Sequence, residues 1–316
     1  MRCTTMAERQ IPMFQPSSVE DLNPHTELRY TISLFQDYLL NEGKSEHTVK
    51  AFTSDLQLLA EHDGENTAVG DFTTDTLNGF LDWLENGRGV PCSRKSYARR
   101  VTTLKVYFKW LHAANVIGHD PAKAVLQRSG PAPLAHILSP DDIQHALSEA
   151  SSLRRRDKPD ARPEVLFRLL LDTGIKKGET VALKREHIDR SAPEHPTLII
   201  KHKVRNVYKE RKIAIDDDWL PLLDEYLAQY APKNDLIFDC TARNLEYVLA
   251  DLAERADLPK VSFEMMRWTC AVRDYRSGMD PDALRGKLGL SEASWVETHS
   301  KIKRLVDQQS KDEGDG

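Results

Sequence analysis

The sequence predicts a mainly α-helical, two-domain protein with one small β-sheet. Three observations carry this. Apolar residues recur at spacings of three or four through most of the 316 residues, the period of helices with one buried face. Alternation with period two is confined to residues 197–215. Between the two halves stands Ser129-Gly130-Pro131-Ala132-Pro133, a break that neither helix nor strand tolerates.

Taken in order, residues 1–25 are polar, hold Pro12, Pro16 and Pro24 and show no period, so a disordered arm is expected. The first helix carries Leu28, Ile32, Phe35 and Leu39 on one face, with Gly43 as its C-terminal stop. Ser45 caps a second helix striped by Val49, Phe52, Leu56 and Leu59. A third is expected over 74–86 (Leu77, Phe80, Leu81, Leu84) and a fourth over 93–113 (Tyr97, Val101, Leu104, Phe108, Leu111). These make a helical domain at 26–128, followed by a linker at 129–135.

The second domain, 136–306, opens at Ser139-Pro140-Asp141-Asp142, an N-cap, an N1 proline and an acidic first turn. A buried helix around Val165–Leu171 ends at Gly174. Leu198-Ile199-Ile200 and Arg211-Lys212-Ile213-Ala214-Ile215 read as a hairpin on either side of a basic turn, and helices follow to residue 306. Residues 307–316 are expected to be a polar acidic tail.

Composition narrows the function. A mean hydropathy of -0.53 and 29% charged residues exclude a membrane protein, and no secretory leader is expected at the N-terminus. Cys3, Cys92, Cys240 and Cys270 are scattered without metal-ligand spacing, so no metal, no cofactor and a reducing cytoplasmic setting are expected, nucleoid-associated when DNA is bound. The net charge of -5 is a global sum and leaves room for local basic faces. Two stand out. One is the fourth helix with Arg94, Lys95, Arg99, Arg100 and Lys105. The other is the hairpin with Lys201, Lys203, Arg205, Lys209 and Arg211.

Several motifs share an order. Ser45-Glu46-His47-Thr48-Val49-Lys50-Ala51-Phe52-Thr53-Ser54-Asp55-Leu56 precedes a basic helix and Asp120-Pro121. Further on stand Leu170-Leu171-Asp172-Thr173-Gly174-Ile175-Lys176-Lys177-Gly178-Glu179, Lys209-Glu210-Arg211, Ile237-Phe238, Glu264-Met265-Met266-Arg267-Trp268, Leu288-Gly289-Leu290 and His299. This series resembles the tyrosine recombinase (phage integrase, Xer-like) family, with its SAM-like core-binding domain and catalytic domain. The resemblance implies double-stranded DNA as a partner. It also implies attack by a tyrosine on a phosphodiester, with arginines, a hairpin lysine and histidines around the phosphate.

At those positions the chain departs. Lys176 replaces an arginine and loses its two-point fork. Glu264 puts a carboxylate where a histidine belongs, Leu290 an aliphatic, and His299 stands in place of the tyrosine. Arg267 is kept, and Lys203 is the hairpin lysine chosen among Lys201, Lys203 and Lys209. The catalytic-position set is therefore Arg267, Lys203 and His299. The expected DNA contacts are Thr48, Lys50, Arg94, Lys95, Arg99, Arg100, Lys105, Lys176, Lys201, Lys203, Arg205, Lys209 and Arg211.

The reading that follows is a DNA-binding member that no longer cleaves, acting as a regulator or as a non-cleaving partner. A homo-oligomer, or an active recombinase engaged through the C-terminal helix, would be its protein partner. Two alternatives stay open: a divergent recombinase using His299 as nucleophile, and an interaction module without DNA affinity.

Overall fold

The computed structural model describes residues 16–126, 134–192, 194–204 and 207–314, and the side chains of 202–209 and 312–314 lie outside that description. The chain forms two compact units, Met1–Ala132 and Pro133–Gly316.

The first unit is all helix: α1 (Leu28–Asn41), α2 (Glu46–Asp63), α3 (Thr74–Asp82) and α4 (Arg94–Ala113). The Ser45, Thr73 and Ser93 hydroxyls each accept the N3 backbone N–H, which fixes where α2, α3 and α4 begin. Gly43 takes a left-handed φ of 70° after α1, the stop its sequence position predicts. The expected third helix is shorter than 74–86. It gives way at Trp83 to a π-helical turn, Trp83–Gly87, that still buries Leu84. Phe35, Leu56, Leu59, Phe80, Tyr107 and Phe108 fill the core completely. The buried Tyr107 hydroxyl meets Thr31 Oγ1 at 2.5 Å, so neither polar group is orphaned.

The arm expected over residues 1–25 is ordered in its described part. Val19–Asp21 forms a 3-10 turn, Leu22 is only 8% exposed against the helical core, and the Gly70 N–H donates to the Pro24 carbonyl at 2.8 Å. Two apolar residues spaced by three are too short a run to register as a period. Residues 1–15 lie outside the described residues.

The second unit contains α5 (Pro140–Arg154), α6 (Arg162–Thr173), α7 (Lys177–Val181), β1 (Ile188–Asp189), β2 (Thr197–Val204), β3 (Val207–Ala214), α8 (Trp219–Tyr230), α9 (Ala242–Arg255), α10 (Phe263–Arg276), α11 (Pro281–Leu288) and α12 (Glu292–Gly314). Helix α6 is the axis. Val165, Leu166, Phe167, Leu169 and Leu170 are buried, and α5, α8, α9 and α10 pack around it. The Trp219 indole donates to the Val165 carbonyl at 3.0 Å, tying α8 to it.

The sheet is antiparallel in the order β1-β2-β3, with Ile200 opposite Arg211 and Lys201 opposite Glu210. Leu198 and Ile200 of β2 and Ile213 of β3 turn inward while alternate residues face solvent, the period-two pattern of the sequence. Strand β1 has two residues, too few to leave a sequence signal.

A second apolar cluster, with Val272, Leu284, Leu288, Trp295, Ile302 and Leu305, binds α10, α11 and α12 together. The polar tail expected from 307 is instead a continuation of α12 to Gly314. No proline or glycine interrupts the sequence before Gly314, and its Gln, Lys and Glu residues are good helix formers. Residues 129–133 of the expected linker lie outside the described residues, and residues 134–139 lead without regular structure into α5. No described helix is long and apolar enough to cross a membrane.

Candidate functional site

Helix α6 ends when Gly174 turns left-handed, at φ 57°. The next two residues set the site: Ile175 is buried, and Lys176 is the N-cap of α7. The Lys176 backbone N–H donates to Glu179 Oε2 at 2.8 Å. Glu179 in turn receives both ends of the Arg211 guanidinium, Nη1 to Oε1 at 3.0 Å and Nη2 to Oε2 at 2.7 Å. Arg211 Nε donates to the Lys287 carbonyl at 3.0 Å. The sheet root, the α6–α7 turn and the end of α11 are thus joined through one side chain.

Arg267, on α10, does similar work from the other side. Its Nη1 donates to the Gly174 carbonyl and its Nη2 to the Leu288 carbonyl, both at 2.6 Å. These are carbonyls at the C-terminal ends of α6 and α11, where a cation is favoured. Gly289 follows, left-handed at φ 61°, and a Cβ there would stand 2.8 Å from Arg211 Nη1. The cluster requires glycine at that point.

The electrostatics follow from this packing. Burial works against ionisation of Glu179, but hydrogen bonds from Arg211 and the Lys176 amide, with the Arg211 and Lys176 charges, hold its carboxyl below the usual range. Lys176 is pushed below the ordinary lysine value, first by burial and then by the Arg267 and Arg211 charges, with Glu179 opposing. Three cations face one carboxylate already claimed by Arg211, which leaves net positive charge suited to a phosphate.

Of the residues singled out by sequence, Lys176, Arg211 and Arg267 meet here. The others go elsewhere. Glu264 is exposed in the first turn of α10. Leu290 packs half-buried on the α10–α12 cluster. The His299 ring stacks on Trp295 (centroids 5.0 Å apart, planes 6° apart) and meets Tyr275 edge-on at 5.6 Å. Its Nε2 is buried without a partner among the described residues, and burial, then the Lys303 charge, lowers its pKa.

Two of the expected DNA contacts are engaged inside the protein. Arg211 is 9% exposed and spent on Glu179 and Lys287. Arg100 is buried in the first unit, its Nε 3.5 Å from Asp55 and its Nη1 donating to Cys92 Sγ at 2.7 Å. The same Asp55, only 2% exposed, also takes Arg99 Nη2 at 2.9 Å and the Thr103 hydroxyl at 2.9 Å. The buried Asp55 of α2 draws in Arg100, whereas Arg99 pairs with the same acid and stays 38% exposed.

Other positions remain at the surface. Lys50, Arg94 and Lys95 are exposed, Lys105 is half-buried, and Lys201 is exposed and 3.7 Å from Glu210. Thr48 is half-buried and shares a hydrogen bond with the capping Ser45. Lys203 and Lys209 have strand backbones, but their side chains, and all of Arg205, lie outside the described residues. Sequence reasoning missed Glu179 as a site member, although it stands three residues after Lys176 in the quoted motif.

Comparison with known proteins agrees with this architecture. Residues 32–115 match the family described as phage integrase, N-terminal SAM-like domain, and residues 136–301 match the phage integrase family. The chain is 22% identical over 290 residues to a tyrosine recombinase XerD from Listeria innocua, covering 86% of this chain and 95% of that protein. It is 28% identical over 162 residues to a tyrosine recombinase XerC from a Mycobacterium species, covering 51% of this chain and 54% of that one. Its fold matches the crystal structure of the XerH site-specific recombinase bound to palindromic difH substrate after cleavage, with a TM-score of 0.68, 18% identity and 92% of each chain covered.

Proposed function

Because the chain belongs to the phage integrase family, we propose that it binds duplex DNA and does not cleave it, acting in recombination as a regulator or non-cleaving partner. One contrast carries this reading. Lys176 and Arg267 keep positive charge at two of the family's phosphate positions, whereas the residue at the nucleophile's position, His299, is stacked on Trp295 and edge-on to Tyr275 with Nε2 buried.

A nucleophile must present its attacking atom to phosphorus at near-contact distance. The His299 Nε2 is packed away from solvent, which speaks against attack through that nitrogen. Lys176 supplies charge but not the bidentate geometry of a guanidinium. Arg267 already gives one hydrogen from each terminal nitrogen to a backbone carbonyl. What is left is a site that attracts phosphate better than it stabilises a phosphorane.

Related recombinases have been crystallised on DNA, including a lambda integrase dimer on a core site. The same class of partner, duplex DNA held by more than one copy, fits this chain. Exposed Lys50, Arg94, Lys95 and Lys201, together with Lys203, Arg205 and Lys209, supply the backbone contacts of the proposal. The test is a gel-shift with duplex DNA at two salt concentrations, paired with a nicked duplex assayed for covalent adduct. Salt-sensitive binding without adduct is expected. An adduct abolished by His299→Ala would overturn the non-cleaving reading, and salt-insensitive or absent binding the DNA reading.

A further inference from the structure

Arg99 stands apart from the other basic residues of the first unit. Lys50, Arg94 and Lys95 are exposed, and Arg100 is buried. Arg99 is neither: 38% of its side chain is exposed, and its guanidinium is held at two points. Nη2 forms an ion pair with Asp55 Oδ1 at 2.9 Å, and Nη1 donates to the Ala51 carbonyl at 3.2 Å. Asp55 is itself fixed, being buried and taking the Thr103 hydroxyl on its other oxygen. Arg99 Nε has no hydrogen-bond partner among the described residues and is not sealed from solvent.

The surroundings of this fork are basic. Lys95 lies one turn earlier on the same face of α4, and Lys50 precedes Ala51 on α2. A phosphate is contacted well by a mobile cation, and Lys50, Arg94 and Lys95 offer that. A guanidinium held in one plane gains most from acceptors with a fixed direction, because its ordering is complete before the ligand arrives. In duplex DNA the major-groove edge of guanine presents such acceptors, O6 and N7 side by side.

We propose that Arg99 reads a guanine of the bound duplex through O6 and N7, and that Asp55 is the positioning residue that aims it. The inference rests on the duplex-DNA reading and adds a base contact to its backbone contacts. The fold keeps Asp55 where ionisation is opposed: burial raises its carboxyl against the pull of Thr103, Arg99 and Arg100. Arg100 uses this acid inside the core, and Arg99 carries its influence to the surface.

The test selects bound duplexes from a random-sequence pool, using the full-length protein as wild type, Arg99→Lys and Asp55→Asn. Wild type should enrich guanine at a position where Arg99→Lys no longer does, with preferences elsewhere kept. Replacing that guanine by its deaza analogue, which lacks the N7 acceptor, should weaken wild-type binding about tenfold and leave Arg99→Lys within about twofold. Asp55→Asn should lower the same preference in wild type and change nothing further in the Arg99→Lys background, as a residue acting through Arg99 must. Asp55→Glu, which keeps the charge, stands in if the Asn variant does not fold. Uniform weakening by Arg99→Lys with the guanine preference intact overturns the base contact, and an Asp55 variant that leaves the preference unchanged overturns its positioning role. Either result leaves the DNA reading standing, whereas absence of duplex binding by the wild type removes both.

Discussion

Arg211 and Glu179 form a two-point ion pair, 3.0 Å and 2.7 Å on its two arms, with only 9% of one side chain and 12% of the other exposed. They come from different kinds of structure, a strand and a five-residue helix, and no local geometry would bring them together. Such a buried pair is costly to break from one side, because the survivor keeps its charge and loses its partner.

Arg211→Met should therefore cost about 3–5 kcal/mol of stability, whereas the double replacement Arg211→Met with Glu179→Met should recover much of it. Urea denaturation of the three proteins checks this. Equal losses in the single and double variants would mean that the pair is not the source.

The pair also sets an acid dependence. Glu179 ionises more readily in the folded protein than in the unfolded chain, so the unfolded chain binds the extra proton. The stabilisation is complete above the unfolded carboxyl value, about 4.5, and is lost as pH falls through the lower folded value. Replacing Glu179 by Gln should flatten the stability profile in that acid window, measured as denaturation midpoint against pH.

Gly289→Ala is expected to destabilise by about 1–3 kcal/mol, since a Cβ meets Arg211 Nη1 at 2.8 Å in a left-handed backbone that alanine resists. Pairing it with Arg211→Met separates the two causes. Relief of the clash should remove part of the cost, and a purely conformational cost would persist unchanged.

His299→Phe should be neutral or stabilising by up to about 2 kcal/mol, because it keeps an aromatic ring near Trp295 and removes the orphaned Nε2. The wild-type profile should also show a loss of stability as pH falls from about 6.5 toward the lower folded value, since the unfolded imidazole takes up the proton first. A Phe variant with an unchanged profile in that range would count against the buried neutral ring.

Arginines in the first unit should separate by role. Arg100→Ala should lower stability by leaving Asp55 under-compensated in the core, with its carboxyl already raised by burial against the pull of Thr103, Arg99 and Arg100. Arg94→Ala with Lys95→Ala should leave stability within about 0.5 kcal/mol. The same pair should reduce the log–log salt slope of duplex binding by about 2 if both contact phosphates. The reverse pattern would place the DNA contact at the buried arginine.

Much of this was legible before the structure. The helical stripes, the hairpin alternation at Ile200 and Ile213, and the stops at Gly43 and Gly174 all follow from local chemistry. Lys176 and Arg267 were found by motif order. What was not legible was where charge goes. A sequence displays Arg100 and Arg211 as outward bases, and only the fold shows that Asp55 and Glu179 have drawn them inward. The ordered stretch around Val19 and Leu22 and the helical end of α12 were missed for a different reason. Both depend on tertiary packing or on the absence of a breaker, and neither leaves a strong period.

Arg267 has two employers. Two helix ends, at Gly174 and Leu288, require its guanidinium whether or not a nucleic acid ever arrives. Selection for folding alone would hold an arginine at this position in any relative that no longer exchanged strands. A genome scan that scores such an arginine as half of a working centre would thus count retired recombinases among the active ones. The positions better able to tell them apart are those that answer to chemistry alone.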